Sequence, residues 1–281
     1  MPEPRALVTF TSDFGTSDPY VAAVKGVVLS ICPLLRVIDV THAVAPQAIE
    51  EAVFLTEQAW GEFPDGTVHL AVVDPGVGTE RRPIAIRGPR GYAVGPDNGV
   101  LSSFLPEADR PPVAARLKLG LGAFGVPRRL PAGYSARQIG NPLLARFDRS
   151  RTFHGRDVFA PTAAHLASGF PFEDVGPEIE LVLQLPPFRG IASDAGLLGR
   201  VVHCDHFGNV LTSIRGEQLP RRRVVLEIAG RRAEFVGTYG EGRGLVALVG
   251  SAGYVEMALV NGNAASEIGA RPGMEALVTA Q

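Results

Sequence analysis

Cysteine is scarce. The 281 residues hold two, Cys32 and Cys204, far apart and neither in a CxxC pair. That excludes a disulfide framework and argues against a cysteine-built zinc site; it suits a reducing compartment. Lysine is as scarce, with Lys25 and Lys118 alone among 27 basic residues. Charge of one sign is missing too: the net charge is −2, which gives no global pull toward nucleic acid or anionic membrane. No apolar run reaches the roughly 18 to 20 residues of a membrane helix. The opening MPEPRALVTFTSDFG lacks an apolar core followed by small residues, so a cytoplasmic protein is expected. The patterns GxxxxGK[ST], HExxH and GxSxG are also absent. What is present is 46% apolar and 20% charged residue, the mixture of a globular chain that buries a core.

The first half alternates strand and helix patterns. Arg5–Phe10 reads as a buried strand that ends in the polar turn Thr11–Gly15. Ser17 or Asp18 can cap the next helix, with Pro19 in its first turn, and Pro33 stops it. Val37–Val40 is a strand, Pro46–Trp60 a helix and Val68–Val73 a third strand followed by Asp74. This rhythm predicts an α/β domain with a mainly parallel sheet, in which ligands bind outside the carboxyl ends of strands. Asp13 and Asp74 both fall at that edge. Short strands at Ile84–Ile86 and Tyr92–Val94 follow, and a helix pattern returns at Asp157–Ser168, with Asp157 as its expected cap. Arg110–Arg151 is rich in arginine, has Asp148 as its one acid, and reads as a solvated surface excursion.

The tail changes character. Leu185–Gly190 (LPPFRG) reads as a linker, and apolar runs then recur about every ten residues: Leu198–Val202, Val210–Ile214, Val224–Ile228, Ala233–Val236, Leu245–Val249 and Tyr254–Val260. That spacing predicts a smaller, all-β, antiparallel barrel. The expected division is an α/β domain over 1–186, a linker over 187–195 and the barrel over 196–281.

Two motifs fail on physical grounds. Gly120-Leu-Gly122-Ala-Phe-Gly125 matches GxGxxG, but Pro127 and Pro131 follow where a dinucleotide site needs a helix to open. His203-Cys204-Asp205-His206 bunches metal-ligand types, yet neighbours on a strand point to opposite faces, so no metal site is expected. His42 and His165 read as structural.

Four segments are polar where neither a core nor a plain loop requires it: TSDFGTSD at 11–18, DPGVGTER at 74–81, TFHGRD at 152–157, and DHFGN at 205–209 with NGNA at 261–264. These, together with VKG, ICP, VIDVTHAV, PDNG and TAAHLASG, resemble in order the S-adenosyl-L-methionine hydroxide adenosyltransferase family, relatives of fluorinating and chlorinating enzymes that use the same molecule. The resemblance implies an α/β domain, a β-barrel, and a homotrimer in which one subunit's barrel covers the next subunit's α/β site. It implies hydrolysis of S-adenosyl-L-methionine at the ribose C5′ to adenosine and L-methionine, with no further cofactor or metal and neither nucleic acid nor membrane as partner.

Carried over by position, the water-handling set falls on Asp74, Arg81 and His154. Asp13 matches the residue that holds the ribose hydroxyls. Asp18, Asp205 and Ser251 match residues around the methionine end. Phe207 and Asn209 match the adenine wall and its amide, and Asn263-Ala264 the stretch that meets the adenine edge. The halogenating relatives carry tyrosine where this chain has Asp74, and Arg87–Gly91 leaves no room for the fluorinating relative's extra loop. An arginine after the matched serine is here Ala252. The alternatives are a halogenase and a non-catalytic binder of S-adenosyl-L-methionine or adenosine.

Overall fold

The computed structural model describes residues 6–113 and 125–280. Contacts divide it into two units, Met1–Pro186 and Pro187–Gln281. The GxGxxG match lies outside the described residues except for Gly125.

In the first unit, strand β1 (Leu7–Ser12) is nearly all buried, as its apolar run predicts. Helix α1 (Tyr20–Ile31), β2 (Arg36–Thr41), α2 (Ile49–Ala59), β3 (Thr67–Val72), β4 (Pro83–Gly88) and β5 (Gly91–Pro96) follow in the expected alternation. Further on come β6 (Val126–Arg129), β7 (Ser135–Gln138), α3 (Ala160–Ala167), β8 (Glu178–Ile179) and β9 (Leu181–Gln184). The main sheet runs β2-β1-β3-β5-β4-β7-β8. Pairings β1–β2, β1–β3 and β3–β5 are parallel; β4–β5, β4–β7 and β7–β8 are antiparallel. The sheet is therefore mixed. Its parallel half is the βαβαβ part, and its antiparallel half grows from the β4–β5 hairpin.

Three local expectations need correction. Helix α1 begins after Pro19 with no side-chain cap, so neither Ser17 nor Asp18 caps it. Asp157 is no cap either: it lies fully buried inside a π-turn (Gly155–Phe159) that leads into α3. There it accepts bonds from Arg156 Nε at 2.7 Å and the Ser150 amide at 2.8 Å. Segment 110–151 is not merely a solvated excursion, because β7 joins the sheet, Ala136 and Leu144 are fully buried, and buried Arg110 pairs with Glu57 at 2.9 Å.

The second unit opens with β10 (Ile191–Ser193), inside the stretch expected to be linker. It continues through β11 (Gly196–Cys204), β12 (Val210–Arg215), β13 (Val224–Ile228), β14 (Arg231–Phe235), β15 (Leu245–Val249), β16 (Tyr254–Leu259), α4 (Ala264–Ile268) and β17 (Glu275–Ala280). Seven strands close in the order β11-β12-β16-β15-β14-β13-β17, sealed by the β11–β17 pairing. Closure removes the unpaired edges that an open sheet exposes. Pairing is antiparallel except β14–β15, which is parallel. That exception corrects the all-antiparallel expectation. The barrel core holds Val210, Ile214, Leu226, Met257 and Val278.

Candidate active site

The turn after β1 carries Asp13 and Phe14, and the turn after β3 begins at Asp74. Both lie at the carboxyl edge of the parallel strands, where such sheets place ligands. A cavity of about 320 Å³ opens there, lined among others by Asp13, Gln47, Asp74, Phe153 and His154.

The loop from Asp74 to Arg81 is a chain of tight turns. The Val77 amide donates to the Asp74 carbonyl at 3.2 Å, and the Thr79 amide and hydroxyl donate to the Gly76 carbonyl at 3.1 and 2.7 Å. Gly78 has φ +79°, and a Cβ there would sit 2.7 Å from the Arg151 carbonyl oxygen. These turns return Arg81 to Asp74. Arg81 Nε donates to Asp74 Oδ1 at 2.9 Å and Arg81 Nη2 to Oδ2 at 2.5 Å, a bidentate pair whose side chains are 6% and 7% exposed. The guanidinium also stands over the Phe159 ring, 5.2 Å from its centroid.

Arg81 Nη2 reaches His154 Nδ1 as well, at 2.8 Å. A guanidinium only donates. His154 Nδ1 is therefore the acceptor, and the ring proton sits on Nε2. Burial, and then the Arg81 charge, hold His154 below its ordinary pKa against the opposing pull of Asp74 and Asp157. The imidazole is thus neutral at pH 7. Arg81 Nη1 is buried without a hydrogen-bond partner among the described residues, so one donor group of the guanidinium is still unspent.

Asp13 Oδ2 accepts the Gln47 amide at 2.8 Å. Burial pushes the Asp13 carboxyl above its ordinary value, bonds from the Gln47 and Asp13 amides oppose this, and Asp74 adds to it. Gln47 holds φ +67°, uncommon for a residue with a Cβ. Nothing in the Gln-Ala sequence signals that geometry, and the sequence reading missed Gln47. It also passed over Phe14 and Phe153, although they flank Asp13 and His154. Their rings meet edge to face at 5.8 Å, with Tyr20 5.4 Å from Phe153. Asp18 is exposed and does not line the cavity.

The second unit gathers most of its expected residues at one end of β12. Asp205 Oδ1 accepts the Asn209 amide at 2.8 Å and its Oδ2 accepts Asn209 Nδ2 at 2.9 Å. Asn263 Oδ1 caps α4 through the Ser266 amide at 2.7 Å. Its side chain fills the space beside Gly208, where φ is +85° and a Cβ would collide. The Ala265 amide donates to the Gly208 carbonyl at 2.9 Å, locking the two segments together. Ala264 is buried, and Phe207 is 75% exposed.

Ser251 is not brought to this group. It sits in the β15–β16 turn, and register places that turn at the far end of β12: Val210 faces Met257, whereas Arg215 faces Tyr254. Between the two ends lies Glu256, 5% exposed, which accepts the Tyr239 hydroxyl. Burial and nearby Asp205 push its carboxyl up against the effect of that bond. Neither residue stood out in the sequence. Among the described residues, no group of three or more His, Cys, Asp or Glu is placed to hold a metal.

A polar cavity at the strand ends of an α/β unit, holding a carboxylate, guanidinium and neutral imidazole in one hydrogen-bonded set, defines an enzyme-type site. The chain belongs to the SAM hydroxide adenosyltransferase family: the N-terminal domain model matches residues 8–176 and the C-terminal domain model residues 199–276. It is 39% identical over 280 residues to the (R)-S-adenosyl-L-methionine hydrolase of Salinispora arenicola, covering 97% of each chain. It is 39% identical over 281 residues to that of Thermus thermophilus, covering 95% of this chain and 97% of that one. A fluorinase from Actinopolyspora mzabensis is 30% identical over 243 residues, covering 76% of this chain and 73% of its own. A solved structure of an uncharacterized conserved protein from Thermotoga maritima superposes with a TM-score of 0.79 at 32% identity, covering 97% of this chain and 99% of that one.

Proposed function

We propose that this protein hydrolyses S-adenosyl-L-methionine to adenosine and L-methionine. The observation that carries the reading is Arg81 bridging Asp74 and His154 beside the cavity. The substrate is a sulfonium, so its sulfur leaves as a neutral thioether and needs no general acid. The C5′–O bond forms, the C5′–S bond breaks with its electron pair going to sulfur, and one proton leaves the water. Alignment of water with the C5′–S bond contributes roughly 7–11 kcal/mol. General-base help adds about 10²–10⁴-fold.

Roles follow from the protonation pattern. His154 Nδ1 is occupied by Arg81, so it is no base. Its Nε2–H donates to the water oxygen and fixes a lone pair toward carbon. Asp74 takes the proton, and Arg81 holds its carboxylate in place. Asp13 holds the ribose hydroxyls. Phe207, Asn209, Asn263 and Ala264 form the adenine-binding part, and Asp205 belongs to the methionine end. Asp18 and Ser251 belong to this reading through family resemblance, without support from the placement within either unit. A carboxylate at position 74 repels a halide, which weighs against a halogenase.

Homotrimer formation, a cytoplasmic location, no resident metal and no nucleic-acid partner complete the proposal. Among the described residues no helix is long and apolar enough to cross a membrane. The test is incubation with each sulfur epimer of S-adenosyl-L-methionine in halide-free ¹⁸O-water, with products followed by mass. Adenosine labelled at the 5′ oxygen is expected. Intact but bound substrate overturns the hydrolase in favour of a binder; turnover that requires halide overturns it in favour of a halogenase.

A further inference from the structure

Behind the cavity lies a serine, a histidine and an aspartate in contact. Ser12 Oγ is 2.7 Å from His42 Nδ1, and His42 Nε2 is 3.0 Å from Asp39 Oδ1. That second approach is close but out of line for a hydrogen bond. Asp39 also accepts Lys25 Nζ at 2.5 Å. The three residue types are those of a nucleophilic triad, but Ser12 is fully buried and does not line the cavity. No substrate carbon reaches it.

The set instead grips the turn that carries Asp13. Ser12 Oγ accepts the Phe14 amide at 3.3 Å, and the His42 carbonyl accepts the Gly15 amide at 2.8 Å. One histidine thus holds the residues on both sides of Asp13, one through its ring and one through its backbone. The His42 ring in turn packs edge-on to Phe10, with centroids 4.6 Å apart. The same loop, five residues on, supplies the strained Gln47 amide to Asp13 Oδ2. The Asp39 carboxylate beside Nε2 favours the tautomer with its proton there. Nδ1 then accepts, and the Ser12 hydroxyl donates to it.

We propose that Ser12 and His42 are positioning residues that aim the Asp13 carboxylate, through the 12–15 turn, at the ribose hydroxyls of a bound nucleoside. This rests on the function proposed above for Asp13. It makes the Ser12–His42 pair a determinant of nucleoside affinity with no contact to the nucleoside.

A double-mutant cycle tests it. Ser12→Ala removes the hydroxyl from His42 Nδ1. The expected result is an adenosine Kd and a substrate KM raised about tenfold, with kcat changed less than KM. In an Asp13→Ala background the same change is expected to add less than about twofold. His42→Asn, whose amide oxygen can accept at the Nδ1 position, is expected to recover most of the affinity that His42→Ala loses. Equal losses with and without Asp13 overturn the proposal, as do equal losses in kcat and KM or an Asn variant no better than Ala. Amide hydrogen exchange at Phe14 and Gly15 provides a reading that needs no ligand. Faster exchange at Phe14 is expected in both Ser12→Ala and His42→Ala, with Gly15, whose amide bonds the main-chain carbonyl of residue 42, changing less; unchanged exchange at Phe14 overturns the proposal. A wild type that binds no nucleoside, yet shows the exchange changes, overturns the function assigned to the cavity and leaves the grip on the turn intact.

Discussion

Arg81 makes three of the hydrogen bonds that define the cavity's chemistry, so replacing it asks whether geometry or charge does the work. Lysine keeps the charge and loses the planar fork that spans Asp74 and His154. Arg81→Lys is expected to lower kcat by about 10²-fold with KM nearly unchanged, because the lost bonds orient water rather than hold substrate. Asp74→Asn is expected to cost about 10²–10⁴-fold in kcat with adenosine still bound. Steady-state kinetics beside calorimetric titration with adenosine checks both; a variant that loses adenosine binding as well contradicts the assigned roles. The pH dependence follows from His154. Burial and Arg81 depress its pKa, so its neutral form survives below the ordinary 6.5. The acid limb of kcat is expected to begin below pH 6.5, and to stay below it in Arg81→Lys, where burial and the cation at position 81 are both kept. A limb centred above 6.5 contradicts the neutral Nε2–H form derived from the Arg81 contact.

At the scale of elements, the 74–81 loop is the piece whose shape matters most. Gly78 is there because its φ is positive and the Arg151 carbonyl oxygen lies where a Cβ would stand. Gly78→Ala is expected to cost roughly 1–3 kcal/mol and to lower kcat, since displacing the loop moves Arg81 off Asp74. Urea unfolding with kinetics checks it, and a variant with full activity contradicts the loop's role. This loop also shows what sequence could disclose. The polar DPGVGTER run marked a site because no core needs it, and Asp74, Arg81 and His154 do meet. The βαβαβ alternation was legible because two buried strand runs bracket amphipathic helices. The antiparallel extension was not: β7 reads Ser-Ala-Arg-Gln, a half-polar stretch that becomes a strand only by pairing with β4. Ser251 and Asp205 were grouped by resemblance, while their separation along β12 and β16 depends on long-range register, which no local pattern encodes. Gln47 was invisible for a related reason, because its positive φ is imposed by the loop around it.

Over the whole molecule the two units carry separate cores, one around Phe10, Leu70 and Phe159 and one around Val210, Leu226 and Met257, so acid can act on them separately. A strongly acid-sensitive group, His69, lies in the first. His69 on β3 stacks on Trp60 with centroids 4.7 Å apart, bonds Thr9 Oγ1 through Nδ1 at 2.8 Å, and is 5% exposed. Burial, with the Arg90 charge adding to it, lowers its pKa to about 4. The fold therefore keeps His69 neutral where the unfolded chain would protonate it near 6.5. Its contribution is fully present above 6.5 and is lost as pH falls toward 4, a loss of roughly 3 kcal/mol over that window. Asp39 and Asp157, held low by their cationic partners against burial, lose stability in acid too. Asp13 and Glu256, held high by burial, regain it. These terms are common to wild type and a His69→Gln variant, so the difference between the two isolates the histidine. Trp60 is the single tryptophan, and it stacks on His69, so its fluorescence follows unfolding of the unit that matters. Urea titrations at pH 7.5 and 4.5 read by that fluorescence are expected to show the wild type losing about 2–3 kcal/mol more than His69→Gln. Equal losses would mean that His69 protonates within the fold without cost, and that the Trp60 stack does not exclude its charge.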